Sequence, residues 1–210
     1  MNLIINDDIY NSARSLYSDK LHYHNFSHIS DVLDNAEKIL EQCDIQNITY
    51  NKKVVFHAVL FHDAGYIKNH IEKGYKDKES YSAFLAETIL SDSGESKEYI
   101  QEVSQAILCT RMNSECHSNN DMIVRAADLY GLAAPYSQFK SKAIDLYKER
   151  ELMSGQKISW EEYKVEACNI IRKFIKPRIQ LNIELFAQDN SMFQEKVLQN
   201  LDKLMKDTID

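Results

Sequence analysis

"VVFHAVLFHDAGY", residues 54–66, decides the fold class. Val54, Val55, Phe56, Ala58, Val59, Leu60 and Phe61 leave a helix here almost no polar face, so it must run through a core rather than lie on a surface. The run closes on His62-Asp63, with Gly65 two residues further on as a C-terminal stop. Two ionisable side chains therefore stand at the end of a buried helix.

Working outward, apolar residues recur at three- and four-residue spacing over 28–42 and 96–108. Five Gly and two Pro in 210 residues supply few of the turns that strands require. The pattern predicts an all-α chain with helices near 2–17, 27–43, 51–66, 77–92, 96–112, 120–133, 137–153, 159–175 and 178–206, the last broken near Asp189–Ser191. Breaks fall at "DSGES" (92–96), "MNSECHSNND" (112–121), Ala134–Pro135 and "MSGQKIS" (153–159), where Gly, Ser, Asn and Pro supply turn chemistry. None has the composition of an interdomain linker, so one domain over 1–210 is expected, and 44% hydrophobic residues suffice for its core.

A formal charge of −7 argues against a broad basic surface for extended nucleic acid, though not against a small phosphorylated ligand in a local pocket. No apolar run approaches the roughly 20 residues that span a bilayer, and "MNLIINDDIYN" has no basic segment followed by a long apolar one. A cytoplasmic protein without a membrane partner is expected. In that compartment Cys43, Cys109, Cys116 and Cys168, which form no C-x-x-C pair, are expected to be reduced.

Two further stretches bear on the His62-Asp63 pair. "LHYHNFSHISDVL" (21–33) puts three histidines, His22, His24 and His28, at the start of a helix for which Asn25 is a good N-cap. "IVRAADLYGLA" (123–133) sets Asp128 into an otherwise apolar helix, where a carboxylate is costly unless something positive meets it. His28, His62, Asp63 and Asp128 together make a mixed nitrogen and oxygen set suited to one divalent ion: Mn²⁺, Fe²⁺, Co²⁺, Ni²⁺, Zn²⁺ or Mg²⁺. A shared ion would offset the cost of the buried carboxylates. His57 falls on another face of its helix and is expected to be a hydrogen-bonded core residue, and His22 to be solvated.

"YHNFSH" (23–28), "FHDAGY" (61–66) and "AADL" (126–129), in that order and with helical sequence between, resemble the HD superfamily of metal-dependent phosphohydrolases, whose pattern is H…HD…D. The resemblance extends through "KESYSAFLAETIL" (78–90) and "ILCT" (107–110), covers about residues 20–133, and reaches the C-terminal extension of about 135–210 only faintly, in "FQEKVLQNLDKL". It implies an HD-type helical domain with additional C-terminal helices, in which His28, His62, Asp63 and Asp128 ligate one metal. His24 matches the histidine that protonates the leaving oxygen in related cyclic-nucleotide phosphodiesterases. The chain lacks the H-D-x-x-E-D arrangement of guanosine-tetraphosphate hydrolases and the G-Y-P signature of cyclic-di-GMP enzymes, which argues against both substrates.

The resemblance thus implies attack by metal-bound water on a nucleotide or other small phosphoester, with His24 as general acid. Glu79 is the candidate base or acceptor for a ligating imidazole, with Glu72 as its rival and a solvated face as the bland alternative. Arg125 and Asn25 are candidates for contact with substrate, although Arg125 can equally pair within its own helix and Asn25 cap the one it precedes. Lys68, Lys73, Lys76 and Lys78 form a basic cluster that either attracts an anionic substrate or is only a solvated loop. Two other functions stay open. One is a di-iron oxygenase cleaving a C–P or C–C bond, which needs His70 or His117 as further ligands; the other is a nucleotide-binding module without turnover.

Overall fold

A computed structural model describes residues 6–66, 70–186 and 191–208. Among them there are nine α-helices, one 3-10 turn and no strand: α1 (Asp7–Arg14), α2 (Phe26–Ile45), α3 (Lys52–Phe61), α4 (Lys78–Asp92), α5 (Lys97–Leu108), α6 (Asn119–Leu129), the 3-10 turn Tyr130–Ala133, α7 (Tyr136–Ser154), α8 (Trp160–Phe174) and α9 (Ser191–Lys206). Among the described residues no helix is long and apolar enough to cross a membrane.

The all-apolar run forms α3, and every residue from Val54 to Phe61 is buried. Asn51 starts it by accepting the backbone N–H groups of Lys53 and Val54. α2, α4, α5 and α6 surround it, which is why it could dispense with a polar face. α2 turns Ile29, Val32, Leu33, Ala36, Ile39 and Leu40 inward at helical spacing, and α6 contributes Ile123, Val124, Ala126 and Ala127. Site-bearing segments are thus held by the most buried part of the molecule.

One contiguous apolar cluster runs from Ile9 to Leu204 and takes in the C-terminal helices. Asn200 on α9 donates to the carbonyls of Leu132 and Ala134, both at 2.9 Å, and so ties α9 to the turn that follows Asp128. Lys164, buried on α8, donates to the carbonyls of Met205 and Asp207 at the end of α9. Those carbonyls have no partner within their own helix.

The structure corrects three expectations. Residues 178–186 are not helical: after Pro177 the chain runs on with Ile179, Leu181 and Ile183 buried and Gln180 and Asn182 exposed, the period-two burial of an extended segment packed on one side. The expected break at 189–191 falls largely outside the described residues. Cys109 and Cys116 are joined in a disulfide, their Cα atoms 5.5 Å apart, because the chain folds back after α5; Ser114 bonds the carbonyls of Leu108 and Arg111 there. Cys43 and Cys168 are free and buried, as expected.

Gly65 is the third correction. It is not a left-handed helix stop; a Cβ at this position would lie 2.7 Å from the Lys78 carbonyl oxygen and 3.0 Å from the Ser82 backbone nitrogen. Its N–H donates to Ser82 Oγ at 2.9 Å. The glycine is there so that the turn carrying His62-Asp63 can press directly on α4.

Candidate metal centre

Asn25 caps α2 and positions His28. Its side-chain oxygen accepts the N–H groups of Ser27 and His28, and its amide donates to the carbonyls of Leu21 and His22. All of its hydrogen-bonding capacity faces its own segment. Asn25 therefore shapes the chain ahead of His28, and the expectation that it meets substrate is corrected to a cap.

The His28 ring, 4% exposed as a residue, turns its Nε2 toward Asp63 Oδ2 at 3.5 Å and Asp128 Oδ1 at 3.6 Å. His62 lies just past the end of α3, and its Nε2 stands 3.3 Å from Asp63 Oδ2 and 3.4 Å from Asp128 Oδ1. His62 Nδ1 donates to the Val59 carbonyl at 2.8 Å. A carbonyl only accepts, so the neutral ring carries its proton on Nδ1 and offers a lone pair at Nε2.

Three segments 100 residues apart at the extremes thus bring two imidazole nitrogens and two carboxylates together. Among the described residues, His28, His62 and Asp128 form the one cluster whose ligand atoms all lie within 4.8 Å of one another; Asp63, although its Oδ2 is 3.3–3.5 Å from both imidazoles, falls outside that set. The Nε2 atoms of both histidines are buried without a hydrogen-bond partner. Separations of 3.3–3.6 Å are long for hydrogen bonds but suit two ligands that each stand about 2.0–2.2 Å from a shared cation. The donor set fits a divalent metal.

The imidazoles and carboxylates shift one another in opposite directions. Burial works against charge on His28 and His62, yet the two carboxylates outweigh it and both imidazoles are raised, His62 strongly. Asp63 and Asp128 are held well below the carboxylate range, again against burial, by the histidines and, for Asp63, by Lys78.

A sequence model of the HD domain matches residues 25–131, just over half of the chain, and its span contains all four of these residues. The chain belongs to the HD domain family. The HD superfamily is one of metal-dependent phosphohydrolases, so the fold and the pattern expected from the sequence both hold. No curated protein matches the chain.

Around the HD cluster lies a cleft of about 1760 Å³ whose wall includes Tyr23, His24, His28, Asp63, Tyr66, Lys78, Glu79, Asp128 and Glu149. His24 Nε2 stands 3.9 Å from Asp63 Oδ2, and the ring stacks on Tyr66 with centroids 3.6 Å apart. His24 Nδ1 meets Glu149 Oε1, and Glu149 Oε2 accepts the backbone N–H groups of Tyr23 and His24 at 2.8 and 2.9 Å. Burial lowers the His24 imidazole below its usual value, while Asp63 and Glu149 work the other way. Tyr23 packs on the His28 ring, 4.6 Å between centroids.

Glu149 escaped the sequence reading. It belongs to the charge-rich "YKEREL" of α7, where a glutamate gives no sign that it is only 2% exposed, and it lies beyond the residues the HD domain matches. Lys78 was read only as one of four lysines. Its Nζ bonds Asp63 Oδ1 at 2.7 Å and stands 3.2 Å from Glu79 Oε1. Lys68 lies outside the described residues, and Lys73 is exposed.

Glu79 lines the cleft and is 7% exposed, whereas its rival Glu72 is exposed. Arg125 is the second corrected contact. It is 1% exposed, and its guanidinium donates to the carbonyls of Cys109, Arg111, Met112 and Phe174 at 2.7–3.2 Å. Those four bonds pin the turn after α5 to the end of α8 and occupy both terminal nitrogens of the guanidinium, leaving only a buried Nε–H without a partner. His57 is the core histidine expected, its Nδ1 2.6 Å from Tyr99 Oη and its pKa lowered to about 4, chiefly by burial. His22 is exposed. His70 lines the cleft; His117 lies at the start of α6, its N–H donating to Asp121.

Proposed function

We propose that the chain is a phosphohydrolase that uses one divalent ion, held by His28, His62, Asp63 and Asp128, to hydrolyse a nucleotide or another small phosphoester. The observation that carries this reading is the pair of buried Nε2 atoms, on His28 and His62, without hydrogen-bond partners and facing two carboxylate oxygens at 3.3–3.6 Å. Such an ion supplies Lewis acidity toward a phosphoryl group and lowers the pKa of water.

The chain's own groups supply the rest. His24 holds a proton on Nε2, which the Glu149 bond to Nδ1 makes the free end of the ring, and gives it to the departing oxygen. Glu149 and the Tyr66 stack fix the plane of that ring, so little orientation is lost in reaching the transition state. Glu79, in the same wall, is the proton acceptor for the attacking water. Tyr23 covers His28 and keeps bulk water from that face of the cluster.

The test is a panel of phosphoesters with chelator-stripped protein, to which Mn²⁺, Mg²⁺, Co²⁺ or Ni²⁺ is returned singly. Activity is expected to appear with at least one ion and to be lost in Asp63→Ala, with the helical circular dichroism of that variant retained. Hydrolysis that survives both chelation and Asp63→Ala contradicts the reading, as does a panel on which no ion elicits turnover.

A further inference from the structure

Lys78 is the cation bonded to a residue of the HD pair, and the mechanism above leaves it unused. It is the first residue of α4, and the first turn of a helix already carries partial positive charge on its N–H groups, so a cation there is locally unfavourable. A residue that breaks a local rule is usually held by something other than local structure. Here the side chain leans over Tyr66, 5.4 Å from the ring centroid, with Asp63 and Glu79 as its carboxylate neighbours and 28% of its surface exposed.

The charge balance of the cleft gives this lysine its use. A divalent ion would be neutralised by Asp63 and Asp128. Farther along the cleft Lys142 pairs with Asp31 and Arg150 with Glu166, but beside the HD pair Glu79 and Glu149 exceed the charge of a protonated His24, and a doubly charged phosphomonoester would meet repulsion there. Lys78 is the cation next to the ligand group. An ammonium has three donors, and Asp63 and Glu79 take two at most, so Lys78 can hold Asp63 Oδ1 and bond an incoming oxygen at the same time.

We propose that Lys78 is a substrate-binding residue whose Nζ bonds a non-bridging oxygen of a phosphomonoester dianion. This rests on the phosphohydrolase reading of the site. It narrows the substrate class to monoesters, because the second phosphoryl charge is what a lysine in addition to the metal serves.

The test uses the full chain loaded with Mn²⁺ and inorganic phosphate as probe, followed by titration calorimetry. Lys78→Met is expected to weaken phosphate at least tenfold and to raise KM for p-nitrophenyl phosphate far more than for the singly charged bis(p-nitrophenyl) phosphate. Lys78→Arg is expected to recover part of the loss, and Mn²⁺ affinity and Tm to stay at or above those of the parent. Should Lys78→Met not fold, Lys78→Gln carries the same comparison. Unchanged phosphate affinity overturns the proposal, as does a loss that only mirrors a loss of Mn²⁺ affinity, since Lys78 would then be a counter-ion of Asp63. A parent that binds no phosphate also overturns it. If phosphate binds and depends on Lys78 while no phosphoester is hydrolysed, the hydrolase reading fails and the lysine's role stands.

Discussion

Glu149 accepts the backbone N–H groups of Tyr23 and His24 with one carboxylate oxygen and meets His24 Nδ1 with the other, across 125 residues of sequence. α7 thereby sets the loop that carries His24, and burial of Glu149 is tolerable because both of its oxygens are engaged.

Glu149→Gln keeps an acceptor for the backbone but removes the negative charge from Nδ1. The carboxylate raises the His24 pKa, so its loss lowers that pKa further and moves the limb on which protonated His24 is required to more acidic pH. At neutral pH the rate on an alkyl phosphoester is expected to fall roughly 10–100-fold, with the metal retained. A pH profile that scales down without moving would reduce Glu149 to a structural anchor.

His24→Ala makes a claim about two substrates. A leaving group of sugar-hydroxyl type needs its proton, and the expected loss is about 10²–10⁴-fold, whereas a nitrophenyl phosphoester departs without it and is expected to lose far less. Equal losses on both, with metal content unchanged, would make His24 a positioning residue rather than an acid.

Gly65→Ala would drive a methyl group onto the Lys78 carbonyl and the Ser82 nitrogen, both backbone atoms. The turn bearing His62-Asp63 and α4 must separate. The expected cost is about 1–3 kcal/mol of stability, with weaker Mn²⁺ binding, because the displaced turn carries His62 and Asp63 themselves. A thermal melt and a Mn²⁺ titration of the variant measure both. A variant equal to the parent in both would mean that the contact relaxes without consequence.

His57 links stability to pH. Its folded pKa of about 4 lies below the unfolded value of about 6.5, so between these values the unfolded chain binds a proton that the folded chain refuses. Stability from this group is whole above pH 6.5, falls as pH drops toward 4, and changes no further below that. The full effect is about 3 kcal/mol. Urea unfolding of His57→Gln, which cannot titrate there, is expected to show a shallower acid decline than the parent, and an identical decline would assign the linkage elsewhere.

The helices and the cluster were legible because both leave a pattern in the chain. An apolar run with no polar face had to be central, and a carboxylate at Asp128 amid apolar residues had to meet a cation. Arg125 misled because a buried arginine and a phosphate-binding one look alike in sequence; only the turn after α5, with its carbonyls turned inward, separates them. Asn25 showed its capping role but not that the cap exhausts its hydrogen bonds. Glu149 and Lys78 sit in charged stretches whose composition is that of solvated surface, and their places in the cleft wall depend on tertiary contacts that periodicity does not encode. Residues 178–186 carried a legible signal, alternation after a proline, that the helical reading passed over.

The most direct measurement is anomalous X-ray scattering from crystals soaked in Mn²⁺. The account predicts one strong peak centred among His28 Nε2, His62 Nε2, Asp63 Oδ2 and Asp128 Oδ1, absent in crystals of His62→Ala grown and soaked in the same way. A peak elsewhere, or no ordered ion with all four side chains as they stand here, would contradict it.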